Sequence, residues 1–166
     1  MSVTTLQQSE GDTPPEWIHL LPAGSFYGMD GRGPWRATNP AAIINASMSR
    51  GSIPIDENHA IDLAAPKGEP SPARGWIVQM QARADGIWAR VAWTRYGDTL
   101  LRMRAYRSIS PAFWHASDGS VTRILRAALT NSPNLPQLTA LNARAVAQQG
   151  ATRMSDELAF KITPLS

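Results

Sequence analysis

The strongest pattern in the chain is an alternation of apolar and polar residues through GWIVQMQARADGIWARVAWT, residues 75–94. Alternation with a period of two places successive side chains on opposite faces of a β-strand. Asp85-Gly86, near the middle, is typical of a two-residue hairpin turn. The pattern therefore predicts a β-hairpin with one buried face. The residues expected to contribute to that face are Trp76, Ile77, Trp88, Val91 and Trp93.

Shorter segments complete the predicted sheet. Strand composition occurs at residues 16–24, 53–59, 106–115 and 121–130. Asp118-Gly119 is the expected turn between the last two of these segments.

Helix signals occur in three places. Asn39 followed by Pro40 is typical of a helix start, and that helix should end at Gly51. Asp98 is expected to cap a short helix, and residues 135–150 are expected to form a C-terminal helix. Strands and helices do not follow a βαβ order, so the sequence predicts an α+β fold, either antiparallel or barrel-like.

The length of 166 residues allows one domain with a substantial core. Residues 1–15 are polar and end in two prolines, which predicts a disordered tail. The folded domain is expected to span residues 16–150, followed by a flexible tail over residues 151–166.

Composition narrows the class of protein. The longest apolar runs fall far short of 18 residues, which excludes a transmembrane helix, and the N-terminus lacks the order of a signal peptide. The chain has no cysteine, so disulfides and thiolate metal sites are excluded and a cytosolic protein is expected. A net charge of +3 with scattered arginines does not favour nucleic-acid binding, which a salt-sensitive gel shift would reveal.

Candidate chemistry centres on AYRSISPAFWH, where Ser108 and Ser110 should share one face of a strand. They are either surface filler or include a nucleophile, which needs a nearby histidine and a third group to orient that ring. Of the three histidines, His19 lies mid-strand and is expected to be structural, and His115 is expected to be exposed. His59 ends a strand, where it is either a general base or a loop-edge residue with no role.

Metal-dependent chemistry is not favoured. Asp56, Glu57, His59 and Asp62 lie within seven residues, but a zinc site with one histidine and several carboxylates would be unusual. We therefore expect neither a metal nor another cofactor.

Five segments occur in an order that resembles the phage Mu-type capsid maturation proteases, the Mu-like prophage protease family. They are WIHLLPAGSFYGMDGRGPW, PIDENHA, ARGWIVQMQARADGIWARVAWT, AYRSISPAF and ALTNSPNL, within residues 16–140. The resemblance implies a small, mostly antiparallel β-barrel flanked by helices, like the herpesvirus assembly proteases, and peptide cleavage by a Ser–His pair.

The resemblance also implies residue roles. Ser110, just before a proline, matches the family nucleophile, His59 matches the general base, and Ser108 is a neighbour.

A third member of the site is harder to assign, because the strand after the serine strand carries neither an acid nor a histidine. Asn131 is the first candidate, and Thr130 and Asp56 remain alternatives. Backbone N–H groups, with Arg123 or Arg126, are expected to stabilise the oxyanion.

The function implied is a serine endopeptidase that processes scaffold and major capsid proteins during phage head maturation. It would act as a homo-oligomer inside the procapsid, in the host cytoplasm, without a membrane or nucleic-acid partner. Self-cleavage of a longer precursor is expected within residues 145–154. The alternatives are a non-catalytic scaffold or capsid assembly module that retains the fold, and a basic β-domain that binds nucleic acid.

Overall fold

The computed structural model describes residues 13–135 and 137–141, and its main element is a six-stranded sheet. The strands of this sheet are β1 (Trp17–Pro22), β4 (Ile53–Glu57), β5 (Gly75–Arg83), β6 (Gly86–Trp93), β7 (Ser108–His115) and β8 (Val121–Thr130). Their order in the sheet is β1-β6-β5-β4-β8-β7. A two-stranded sheet pairs β2 (Ser25–Phe26) with β3 (Trp35–Arg36). The helices of the described residues are α1 (Pro40–Met48), α2 (Ala60–Leu63) and α3 (Arg95–Arg102), with a 3-10 turn at Ala65–Lys67.

The large sheet is strongly curved, so that its two end strands come into contact. Neighbouring strands are antiparallel except β4 and β8, which pair in parallel. The end strands β1 and β7 lie against each other, so the sheet is almost a closed barrel. This confirms the predicted fold class, an α+β protein with a small, mostly antiparallel β-barrel.

One cluster of apolar side chains forms the core. Among its fully buried members are Leu20, Ile55, Ile77, Ile87, Phe113, Ile124 and Leu129.

The central hairpin is confirmed, but its turn lies one residue earlier than predicted. Arg83 pairs with Gly86, so the turn residues are Ala84 and Asp85. Gly86 has a φ of +136°, and a Cβ there would lie 1.9 Å from the carbonyl oxygen of Leu21. The glycine is therefore required by the close approach of β1 rather than by the turn.

The predicted buried face of the hairpin is only partly correct. Ile77 and Val91 are buried, but Trp76 lies on the opposite face and is 41% exposed. Trp88 is half-buried and stacks on the His19 ring at 4.7 Å, while the Trp93 indole N–H donates to the Pro15 carbonyl. Branched aliphatic side chains thus fill the barrel here, and the tryptophans pack around it.

Two helix predictions are tested by the structure. Asn39 caps α1 as predicted, since its side chain accepts from the Ala42 N–H at 3.1 Å. For α3 the cap is Thr94, whose hydroxyl accepts from the Gly97 N–H, and Asp98 lies inside the helix.

The C-terminal helix predicted over residues 135–150 is wrong where the structure describes it. Residues 137–141 are not helical, because the Thr139 N–H donates to the His19 ring and the Leu141 N–H to the Arg107 carbonyl instead of to carbonyls four residues earlier. Residues 142–150 and the expected self-cleavage segment lie outside the described residues.

The tails predicted at residues 1–15 and 151–166 also lie outside the described part of the chain, except for residues 13–15. Within the described part, no helix has the length and apolar character needed to cross a membrane.

Candidate functional site

Three neighbouring strands bring the candidate nucleophile and a carboxylate onto one face of the sheet. Ser110 on β7 is opposite Ala128 on β8, and Ala128 is opposite Asp56 on β4. Residues opposite one another across a ladder point to the same side of the sheet. Strands lie about 4.8 Å apart, which puts the Ser110 and Asp56 Cα atoms about 10 Å from each other. Ala128, the residue between them, carries only a methyl side chain.

The chain supplies an imidazole three residues after Asp56. The strand predicted to reach His59 ends at Glu57, and Asn58 and His59 then adopt left-handed φ angles of 50° and 59°. Left-handed backbone at non-glycine residues costs on the order of 1 kcal/mol each and is enriched at functional sites. The turn leaves His59 buried, at 8% exposure, and starts helix α2.

Helix α2 folds back onto the same face. The Ile61 N–H donates to Asp56 Oδ2 at 2.9 Å. Asp62 Oδ1 lies 3.4 Å from Arg126 Nη1, and Arg126 is two residues from Ala128, so it lies on the Ser110 face. The α2 turn is therefore tied to both β4 and β8.

The Asp56 carboxyl is fully buried, and one of its oxygens is available. Oδ1 is buried and accepts no hydrogen bond from the part of the chain that the structure describes. Burial raises the pKa of Asp56, while the Ile61 N–H and the charge of nearby His59 lower it, as Arg126 does more weakly. The carboxyl thus lies within electrostatic range of the His59 ring, with an acceptor free to bind it.

The site is closed in this conformation. Ser110 is 1% exposed and Asp56 is 0% exposed. Ser108, which shares the Ser110 face, is buried at 8% exposure and is opposite Thr130. Two serines on one face are thus placed as predicted, and neither is a surface residue.

The other sequence candidates for the third group have different surroundings. Asn131 is exposed, its Oδ1 accepts from the Arg107 N–H, and its Nδ2 donates to the Ala105 carbonyl. The Thr130 hydroxyl accepts from the Ser132 N–H. Both side chains are used to fix the segments at the start of β7 and the end of β8.

The remaining histidines have structural surroundings. The His19 ring donates from Nε2 to the Asp85 carbonyl at 2.9 Å and accepts the Thr139 N–H at Nδ1. These two bonds define a neutral tautomer, and burial lowers the pKa of His19. His115 bonds the adjacent Ala116 carbonyl.

Sequence reasoning missed the ion pair between Asp62 and Arg126, and a cluster formed by Glu57, Arg74 and Tyr106. Nothing local in the sequence signals either, because each joins segments that are far apart in the chain.

A family model, described as Mu-like prophage I protein, N-terminal domain, matches residues 18–142. No curated protein and no solved structure matches the chain significantly. The matched range includes the whole six-stranded sheet apart from the first residue of β1, together with Ser110, His59 and Asp56. The chain therefore belongs to the Mu-like prophage I protein family, a family of phage-associated proteins.

Proposed function

We propose that this protein is a serine endopeptidase that processes scaffold and capsid proteins during phage head maturation. Ser110 is the nucleophile, His59 the general base and Asp56 the carboxylate that orients the His59 ring. The observation that supports this most is the row Ser110–Ala128–Asp56, with His59 in the turn that follows Asp56.

The spacing of this row suits a catalytic triad. An imidazole accepts from a serine hydroxyl through one nitrogen and donates to a carboxylate through the other, with hydrogen bonds of about 2.8 Å. Such a chain of contacts bridges side chains whose Cα atoms lie about 10 Å apart on strands two steps away. Asp56 is favoured over Asn131 because its Oδ1 is available, whereas both polar atoms of the Asn131 amide bond the backbone.

The reaction follows from these roles. Ser110 Oγ attacks the scissile carbonyl carbon as His59 takes its proton, and the carbonyl oxygen becomes an oxyanion. Backbone N–H groups and the Arg126 guanidinium stabilise that charge. His59 then gives the proton to the leaving amine, and a water activated by His59 hydrolyses the acyl-enzyme. Asp56 stabilises the imidazolium throughout.

The compartment, the substrates and the oligomeric state are proposed from the family assignment. The protein acts in the host cytoplasm, inside the procapsid, on scaffold and major capsid protein, and it acts as a homo-oligomer. The burial of Ser110 favours a second candidate, a non-catalytic assembly module that retains the fold.

The test is an active-site label combined with a cleavage assay. The full chain is treated with a fluorophosphonate, the labelled peptide is identified by mass spectrometry, and cleavage of the phage's own scaffold and capsid proteins is followed. We expect the label on Ser110, no cleavage by Ser110→Ala, and cleavage within a few-fold of wild type for the matched variant Ser108→Ala.

Full cleavage by Ser110→Ala would overturn the assignment. A wild-type protein that binds the head proteins, takes no label and cleaves nothing would support the assembly module instead.

A further inference from the structure

A polar cluster lies at the end of β4, just before the turn that carries His59. The Tyr106 hydroxyl donates to Glu57 Oε1 at 2.8 Å, and the Arg74 Nε donates to Glu57 Oε2. The Arg74 guanidinium also lies over the Tyr96 ring, 4.1 Å from its centroid. Both oxygens of one carboxylate are thus held from two directions.

The members of the cluster come from three separate segments. Glu57 is the last residue of β4, Tyr106 precedes β7 by two residues, and Arg74 directly precedes β5. The Arg74 backbone is itself fixed, because its N–H donates to the Ile55 carbonyl and its carbonyl accepts from Thr94. Glu57 therefore links the strand that leads to the general base with the segment that leads to the nucleophile.

Tyr106 also contacts the turn itself. Asn58 Nδ2 donates to the Tyr106 hydroxyl at 3.4 Å, and the Asn58 N–H donates to the Leu129 carbonyl at 2.9 Å. Asn58 and His59 are the two consecutive residues with left-handed backbone. A strained turn persists only where its surroundings hold it, and these contacts are the ones that hold its first residue.

The Tyr106 hydroxyl stays protonated and can act as a hydrogen-bond donor. Burial and the neighbouring Glu57 carboxylate raise the pKa of Tyr106 to about 12. The hydroxyl therefore keeps its proton at neutral pH and can donate it to Glu57.

We propose that Tyr106 is a positioning residue for catalysis, which fixes His59 relative to Ser110 through its contacts with Glu57 and Asn58. This inference rests on the proposed protease function. Tyr106 does not touch the reacting atoms. It sets the geometry of the turn, and a misplacement of about 1 Å in a reacting group can cost about 100-fold in rate.

The main test compares Tyr106→Phe with wild type in the cleavage assay, using the full chain. We expect kcat to fall by about 10- to 100-fold with KM changed by less than about two-fold, since substrate contacts are intact. Tyr27→Phe is the matched control, because Tyr27 is 54% exposed and outside the cluster, and it should behave as wild type.

A second pair of variants separates positioning from general destabilisation. Glu57→Gln keeps an acceptor for the Tyr106 hydroxyl and should retain most of kcat, whereas Glu57→Ala should resemble Tyr106→Phe. Combining Glu57→Ala with Tyr106→Phe should cost little more than either change alone, because both break the same contact. Urea unfolding of each variant confirms that the protein assayed is folded.

The outcomes distinguish failure of the Tyr106 positioning role from failure of the proposed protease function. Wild-type kcat in Tyr106→Phe, or a rise in KM alone, overturns the positioning role if Ser110→Ala is inactive. Equal losses in Glu57→Gln and Glu57→Ala overturn it as well, even if Tyr106→Phe fails to fold. Cleavage by Ser110→Ala overturns the proposed function itself.

Discussion

The barrel has two halves of different character, a hairpin half of β1, β6 and β5 and a site half of β4, β8 and β7. In β5 of the hairpin half, buried and exposed residues roughly alternate, and polar side chains such as Gln79 and Gln81 face solvent, whereas β1 is buried from Ile18 to Pro22. In the site half, the first six residues of β7 and the last four of β8 are buried on both faces. The second face of the site half buries polar groups, among them Ser110 and Asp56.

This difference suggests that the hairpin half contributes most to stability and that the site half carries the candidate functional groups. Burying apolar surface in the hairpin half is favourable, whereas burying a carboxyl and hydroxyls in the site half carries a desolvation cost. Changes in the site half should therefore affect activity more than stability, and changes in the hairpin half should do the reverse.

The largest expected effect comes from Asp56→Asn. An amide cannot stabilise the imidazolium as a carboxylate does, so kcat should fall on the order of 10²- to 10⁴-fold. Asn131→Ala is the comparison variant and should remain within a few-fold of wild type in the same cleavage assay. If Asn131→Ala were the inactive variant, the orienting group would be the amide that the sequence first indicated.

The same Asp56→Asn variant should not lose stability at neutral pH. Burial raises the pKa of Asp56, so the folded state binds this proton more tightly than the unfolded state does. The stability contributed by Asp56 is then fully present below its ordinary pKa of 3.8 and is lost as pH rises through the folded pKa. Urea unfolding between about pH 4 and pH 7 should show wild type losing stability relative to the variant. If the free energies of unfolding of the two proteins changed in parallel with pH, folding would not raise the pKa of Asp56, and this prediction would be wrong.

The next largest effect is on stability, in the hairpin half. Ile77 is fully buried, so Ile77→Ala should lower the free energy of unfolding by about 2–5 kcal/mol. Its neighbour Trp76 is exposed on the outer face, and Trp76→Ala should cost less than about 1 kcal/mol. Chemical denaturation of the two variants measures this difference, and a larger cost at Trp76 would place the barrel interior on the other face.

The smallest effect is the pH dependence due to His19. Burial lowers the pKa of His19, so its stabilising contribution is present above the ordinary value of 6.5 and is lost as pH falls through the folded pKa. Protonation also removes the acceptor for the Thr139 N–H, a bond worth about 1 kcal/mol. Wild type should lose stability on acidification from about pH 7 to pH 5, and His19→Gln should lose less. Identical pH profiles in thermal unfolding would contradict this role.

The two halves also differ in how far the sequence predicts them. The hairpin was predictable because the alternation of its residues and its turn are local signals. The turn was predicted one residue too late because Gly86, which looks like a turn residue, is needed instead for the close approach of Leu21. The site was harder to predict from the sequence, because the Ser110–Ala128–Asp56 row depends on the register of distant strands.

The turn that carries His59 shows the same limit. The family resemblance implies His59 as the general base and leaves Asp56 as one alternative for the third group, but the left-handed turn at His59 has no signature in DENH. Nor does the sequence link Tyr106 to Glu57, which are 49 positions apart. Side-chain chemistry was visible in the chain, and the geometry that combines it was not.

The parallel pairing of β4 and β8 has a consequence for when the sheet can be completed. Ile55 pairs with Ala127, so the two strands can join only after the hairpin, α3 and β7 between them have been synthesised. Contacts between such distant positions form slowly, because a long loop must close before they bring any gain. A nascent chain that ends after β7 already contains Ser110 and His59 but lacks the strand that lies between β7 and β4. The row Ser110–Ala128–Asp56 is thus completed only after β8 has been synthesised.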